Sequence, residues 1–143
     1  MTMVLFVCHG NICRSPMAQY VFKALADKAG RGGEFEVDSA ATSTEEIGNP
    51  VYPPARQMLA SHGIRGIDHR ARQLDMDDYA YFDHIYVMDY ANLRNARRMT
   101  GGDPDCKVEM LLDREVDDPW YTGDFETAYE DILEGCGDLL DRL

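Results

Sequence analysis

No apolar run in these 143 residues is long enough to cross a bilayer; the longest is the stretch from Met3 to Val7. No basic n-region or small-residue cleavage site accompanies it, so neither a signal peptide nor a membrane partner is expected. Basic residues are scarce: 14 Lys and Arg stand against 26 Asp and Glu, a formal net charge of −12. That balance excludes broad affinity for nucleic acid or anionic membrane. An anionic substrate would need a local positive field working against the global one. The chain has no low-complexity stretch and no internal repeat, which excludes linker-like and solenoid architectures. Its four cysteines, at 8, 13, 106 and 136, lack the C-x-x-C pairs of zinc sites. A chain of this size needs no disulfide framework, so mostly free thiols in a reducing cytoplasm are expected.

What is present is globular: 45% hydrophobic and 28% charged residues over residues 1–143, expected to form one domain. Met3 to Val7 reads as a strand buried on both faces. A helix is expected to begin near Ser15-Pro16 and to end at Gly30. Phe35–Ala40, His84–Met88 and Lys107–Leu111 read as strands. Ala55–Ser61, Asp75–Phe82, Ala91–Met99 and Phe125–Leu140 read as helices, and Asp113–Gly123 as a loop. Strands alternating with helices predict a parallel α/β sheet with helices on both faces. Ligands of such sheets bind beyond the strand C-termini, where Cys8 stands.

The stretch Cys8-His9-Gly10-Asn11-Ile12-Cys13-Arg14-Ser15 carries the chemistry. Gly10 and Asn11 tolerate positive φ, so the backbone can curl and gather N–H groups into one hollow. The helix after it adds orphan N–H groups and the positive end of its dipole. Such a cup suits a tetrahedral oxyanion. Five residues separate Cys8 from Arg14, enough to wrap a phosphate with sulfur beneath and a bidentate guanidinium at the rim. The same field favours an anionic sulfur, making Cys8 a nucleophile toward bound phosphorus, with Ser15 donating its hydroxyl to the sulfur.

At these residues the sequence closely resembles the low-molecular-weight protein tyrosine phosphatases, whose signature is C-x-G-N-x-C-R-S-P. Asp38-Ser39, Ala71-Arg72-Gln73, Met88-Asp89, Asn92-Leu93-Arg94 and Asp118-Pro119 fall in family order, so the resemblance covers nearly the whole chain. It implies a four-stranded parallel sheet of flavodoxin-like type and phosphomonoester hydrolysis with no metal and no cofactor. A leaving phenolate needs a proton, and the resemblance makes Asp118 the general acid and base; Asp117 is the alternative, and the string alone also reads as a turn. By the same resemblance Trp120 and Tyr121 wall the phenyl ring, Asn11 holds the loop's strained conformation, and His69 and Ser39 brace it. Asp89 either bonds Arg14 or caps the following helix. His9 either adds positive field at the pocket mouth or faces solvent. Glu45 stands where some relatives place an aromatic, and disfavours peptides acidic around the phosphotyrosine. Cys13 is either a redox guard that forms a disulfide with Cys8 or a small buried hydrophobe. Cys106 and Cys136 read as structural.

Phosphotyrosine-containing proteins are the expected partners, together with a tyrosine kinase that writes the mark, and the chain is expected to be a cytoplasmic monomer. Three other functions share the loop. An arsenate reductase would need a cysteine pair after the third strand, and Met88 to Gly102 contains none. A protein-arginine phosphatase tends to have a small polar residue where Ile12 stands. A phosphocarrier would need neither Asp118 nor the aromatic wall.

Overall fold

Val4 to Val7 are all fully buried, as a continuous apolar run requires when helices cover both faces of a sheet. They form the middle of β1 (Thr2–Cys8) in the computed structural model, which describes residues 1–143. Alternation divides the strand between two cores. Val4, Phe6 and Cys8 pack with residues of α1 (Arg14–Lys28) and α6 (Phe125–Arg142), among them Met17, Phe22, Ile132 and Leu139. Leu5 and Val7 face the other way, toward Tyr79 of α3 (Met76–Tyr81), Phe82 and Ala96 of α4 (Tyr90–Met99). β2 (Phe35–Ala41) and β3 (His84–Val87) flank β1, and β4 (Val108–Met110) closes the sheet in the order β2-β1-β3-β4, all parallel. The strand order reverses at β1 and β3, so the crevice of this fold opens at the C-terminal end of β1. Cys8 is the last residue of that strand.

The helices start and stop where side-chain chemistry directs. Asp75 and Asp78 form a reciprocal capping box on α3. Asp124 caps α6 through Thr127 N–H at 3.0 Å. Gly30, at φ 73°, ends α1 with Arg31 N–H returning to the Ala26 carbonyl at 2.8 Å. Two expectations about the helices are corrected. α1 begins at Arg14 rather than Ser15-Pro16: Met17 N–H already bonds the Cys13 carbonyl at 3.1 Å, and Pro16 sits in the first turn, where no N–H is missed. The expected loop Asp113–Gly123 contains a short helix, α5 (Pro119–Thr122), which Asp118 caps through Trp120 N–H at 3.1 Å, with Pro119 at its first position. Gly123, left-handed at φ 73°, ends it. The remaining α-helix, α2 (Pro53–Ser61), packs against α1 and α6. Cys136 is buried in the core, but Cys106 is exposed on a turn at φ 54°, which corrects its reading as a structural residue. No helix is long and apolar enough to cross a membrane.

Candidate active site

The chain leaves β1 at Cys8 and turns through a loop whose shape depends on one residue. Asn11 adopts φ 60° while fully buried, a conformation that Asn and Asp tolerate better than other non-glycine residues. Its own N–H reaches back to Cys8 Sγ at 3.3 Å. The N–H groups of Gly10, Ile12 and Cys13 donate to no protein acceptor, and those of Arg14 and Ser15 belong to the first turn of α1 and have no intrahelical acceptor. Together they make a cup of unspent donors at the end of β1.

The Asn11 side chain fixes the direction of every hydrogen bond beneath that cup. The backbone N–H of Arg72 can only donate, and it donates to Asn11 Oδ1 at 3.2 Å. The other end is therefore the amide nitrogen, which donates to Ser15 Oγ at 2.8 Å and Ser39 Oγ at 2.9 Å. Ser39 passes its hydrogen to Gln19 Oε1 at 2.5 Å. Ser15 Oγ has Cys8 Sγ as its other partner, 3.0 Å away, and donates its hydrogen there when the sulfur is ionised. His69 Nε2 lies 2.8 Å from Asn11 Oδ1 and must be the donor there. Burial pushes the His69 imidazole down from the usual histidine range, against the pull of Asp38. The sulfur thus has two hydrogen-bond partners, Asn11 N–H at 3.3 Å and Ser15 Oγ at 3.0 Å.

Arg14 is the largest fully buried side chain of the protein. Nη1 donates to Asp89 Oδ2 and to the Val116 carbonyl, each at 2.8 Å, and Nη2 to Asp118 Oδ2 at 3.3 Å. Burial works against its charge, but the Cys8 sulfur, Asp118 and Asp89 outweigh burial and raise its pKa above the usual arginine value. Its Nε is buried with no hydrogen-bond partner. An unmatched cationic donor inside a protein is costly, and here it belongs to a residue that lines a cavity of about 110 Å³.

That cavity brings together most of the residues singled out in the sequence. Cys8, His9, Gly10, Asn11, Ile12, Cys13 and Arg14 line it from the loop; Glu45 faces them, and Asp118, Trp120 and Tyr121 complete it. Ser15 lies behind Cys8, and Ser39 and His69 bond to Asn11. Asp89 does both things expected of it: Oδ2 takes Arg14, and Oδ1 caps α4 through Asn92 N–H at 2.7 Å. His9 Nε2 bonds Glu45 Oε2 at 2.9 Å across the mouth. Asp117 lines a separate small cavity with Thr122 and Asp124. Burial, then the charge of Cys8, pushes the Cys13 thiol up, so it stays neutral. Sequence reasoning missed Glu46, which lines the cavity beside Glu45 and carried a signal as its neighbour. It also missed Tyr52, whose ring lies 4.8 Å from Trp120, and Gln19. The Val116 carbonyl is main chain, which residue identity does not mark.

Fold and site define the class first: a doubly wound parallel α/β protein with an oxyanion-binding loop built over a thiol. Residues 3–143 match the family model of low molecular weight phosphotyrosine protein phosphatases, and the chain belongs to that family. It is 42% identical to the low molecular weight phosphotyrosine protein phosphatase of Gallus gallus, covering 97% of this chain and 94% of that one. The crystal structure of YfkJ from Bacillus subtilis superposes with a TM-score of 0.96 at 40% identity, covering 99% of this chain and 94% of that one. A Drosophila arginine phosphatase structure also superposes, with a TM-score of 0.91 at 34% identity over 99% of this chain and 97% of that one.

Proposed function

We propose that the protein hydrolyses phosphotyrosine, and simple aryl phosphates, through a phosphocysteine formed on Cys8. The observation that carries this reading is the buried, unpartnered Nε of Arg14 in a cavity floored by Cys8. It asks for an anionic oxygen, and the unspent N–H groups of the loop ask for more. A phosphoryl group held there has the sulfur in line with its ester bond. Cys8 attacks phosphorus, the P–O bond breaks, and Asp118 gives its proton to the departing phenolic oxygen. Water then attacks the phosphocysteine, Asp118 takes its proton, and the Cys8 thiolate leaves with inorganic phosphate bound to Arg14. The placement of Asp118 in the lining of the cavity, and of Asp117 outside it, supports Asp118 as the acid. Trp120 and Tyr121 supply flat apolar surface for a phenyl ring, and Ile12 adds apolar bulk to the same lining.

The substrates are proteins carrying phosphotyrosine, made by a tyrosine kinase, and the enzyme works as a monomer in the cytoplasm. Turnover of an aryl phosphate, phosphotyrosine and phosphoarginine by wild type and Cys8→Ser tests the reading. Wild type hydrolyses the first two and Cys8→Ser none. Failure of wild type on aryl phosphate, or turnover by Cys8→Ser, sinks the mechanism. A preference for phosphoarginine would move the assignment to that substrate.

A further inference from the structure

Nothing in the chemistry of phosphate transfer requires carboxylates at the mouth of the cavity, yet two line it. Glu45 and Glu46 sit on the segment between β2 and α2, which hydrogen bonds hold against the loop: Thr42 N–H to the Cys8 carbonyl at 2.9 Å and Ser43 N–H to the His9 carbonyl at 3.0 Å. Each carboxylate is oriented by one oxygen. Glu45 Oε2 bonds His9 Nε2 at 2.9 Å, and Glu46 Oε2 accepts from Asn49 Nδ2 at 2.6 Å. Glu46 lies directly on the loop, since a Cβ placed on Gly10 would stand 3.5 Å from its Cγ. The same rim carries aromatic residues, with Trp120 50% and Tyr121 81% exposed. Exposed aromatic faces attract cations.

The cavity is therefore polarised along its depth. Its floor holds the buried Arg14 guanidinium with an unpartnered Nε, and its more exposed lining includes two oriented carboxylates and two aromatic rings. A ligand that satisfies both ends carries an anion deep in the cavity and a cation at the rim. We propose that Glu45 and Glu46 form a cation-selecting lip, so that the enzyme takes phosphotyrosines flanked by lysine or arginine in preference to those flanked by acids. This rests on the phosphotyrosine reading and names the substrate class within it. Glu45 disfavours acidic flanks, as its charge alone implies; the paired lip adds positive selection for basic ones.

The test compares kcat/KM for three phosphotyrosyl peptides that differ only in Lys, Ala or Asp at the flanking positions, with an aryl phosphate as reference. Two exposed charge contacts predict a Lys-to-Asp ratio of about 2- to 30-fold in wild type. The ratio shrinks in Glu45→Gln and in Glu46→Gln and collapses toward one in the double variant, whatever happens to turnover itself. Raising salt from about 0.05 to 0.5 M lowers the wild-type ratio too, because exposed charges are screened. A wild-type ratio near one, or a ratio that the double variant preserves, overturns the lip while leaving the phosphatase reading intact. Failure of wild type on the aryl phosphate brings down that reading, and the lip with it.

Discussion

Replacing Asn11 by Asp changes one atom of the side chain and reverses the hydrogen-bond polarity under the nucleophile. The backbone has little reason to move, since Asp accepts φ 60° about as readily as Asn. Oδ1 keeps its donors from Arg72 N–H and His69 Nε2. The change falls on the other end, where an amide that donates to Ser15 and Ser39 becomes a carboxylate oxygen that accepts. Ser15 then turns its hydrogen from Cys8 toward residue 11 and presents a lone pair to the sulfur 3.0 Å away. A hydrogen bond to a charged partner contributes about 1.5–3 kcal/mol. Its loss should lower kcat/KM on an aryl phosphate by about 10- to 150-fold. The same change should slow alkylation of Cys8 by iodoacetate, which reads the thiolate without any substrate. Ser15→Ala, which loses the bond without adding a charge, should fall between wild type and Asn11→Asp in both assays. An Asn11→Asp enzyme within about threefold of wild type in both would refute the polarity argument.

Asp118→Asn keeps a side chain able to cap α5 but not to give up a proton, so kcat on phosphotyrosine should drop by about 10²- to 10⁴-fold, while Asp117→Asn stays near wild type; steady-state kinetics on both decide, and the reverse pattern moves the acid to Asp117. Cys13 is kept neutral by burial and by the charge of Cys8, and peroxide oxidation of Cys8 to a sulfenic acid removes the second of these. Cys13 then condenses with it, releasing water, so peroxide-treated wild type should recover with dithiothreitol and Cys13→Ser should not; equal recovery in activity assays would discard the guard role. Asp89→Ala removes a helix cap and one anchor of Arg14, and should cost about 1–2 kcal/mol in denaturant unfolding and raise KM more than it lowers kcat; an unchanged KM would show that Arg14 holds its position without Asp89.

The parts of the site legible in sequence are those written in consecutive residues. Cys8 to Ser15 carries strand end, turn, cation and helix start within one stretch, so the cup follows from residue order alone. The apolar run of β1 likewise announces burial on both faces. Asp89 is harder, because capping and pairing read as rivals until its two oxygens are seen serving one each. α5 leaves no trace in the pattern because four residues are barely one helical turn, too few for periodicity to register. Arg14 is anchored in part by a carbonyl at position 116, and Asn11 is oriented by the main chain of Arg72. No residue alphabet encodes a main-chain partner across 61 positions. Cys106 misleads for a related reason: a cysteine's burial is set by its turn, here a left-handed one, rather than by its type.

The dependence of Asn11 on Arg72 also sets an order in time. As the chain emerges from a ribosome, Cys8 to Ser15 are made long before residues 69 to 72, and until that later segment docks nothing fixes which way the amide points. A nascent or partly folded chain therefore lacks the ordered Asn11–Ser15–Cys8 arrangement of the folded protein. The surroundings of Cys8 are thus completed by contacts made from a segment about sixty residues further along the chain.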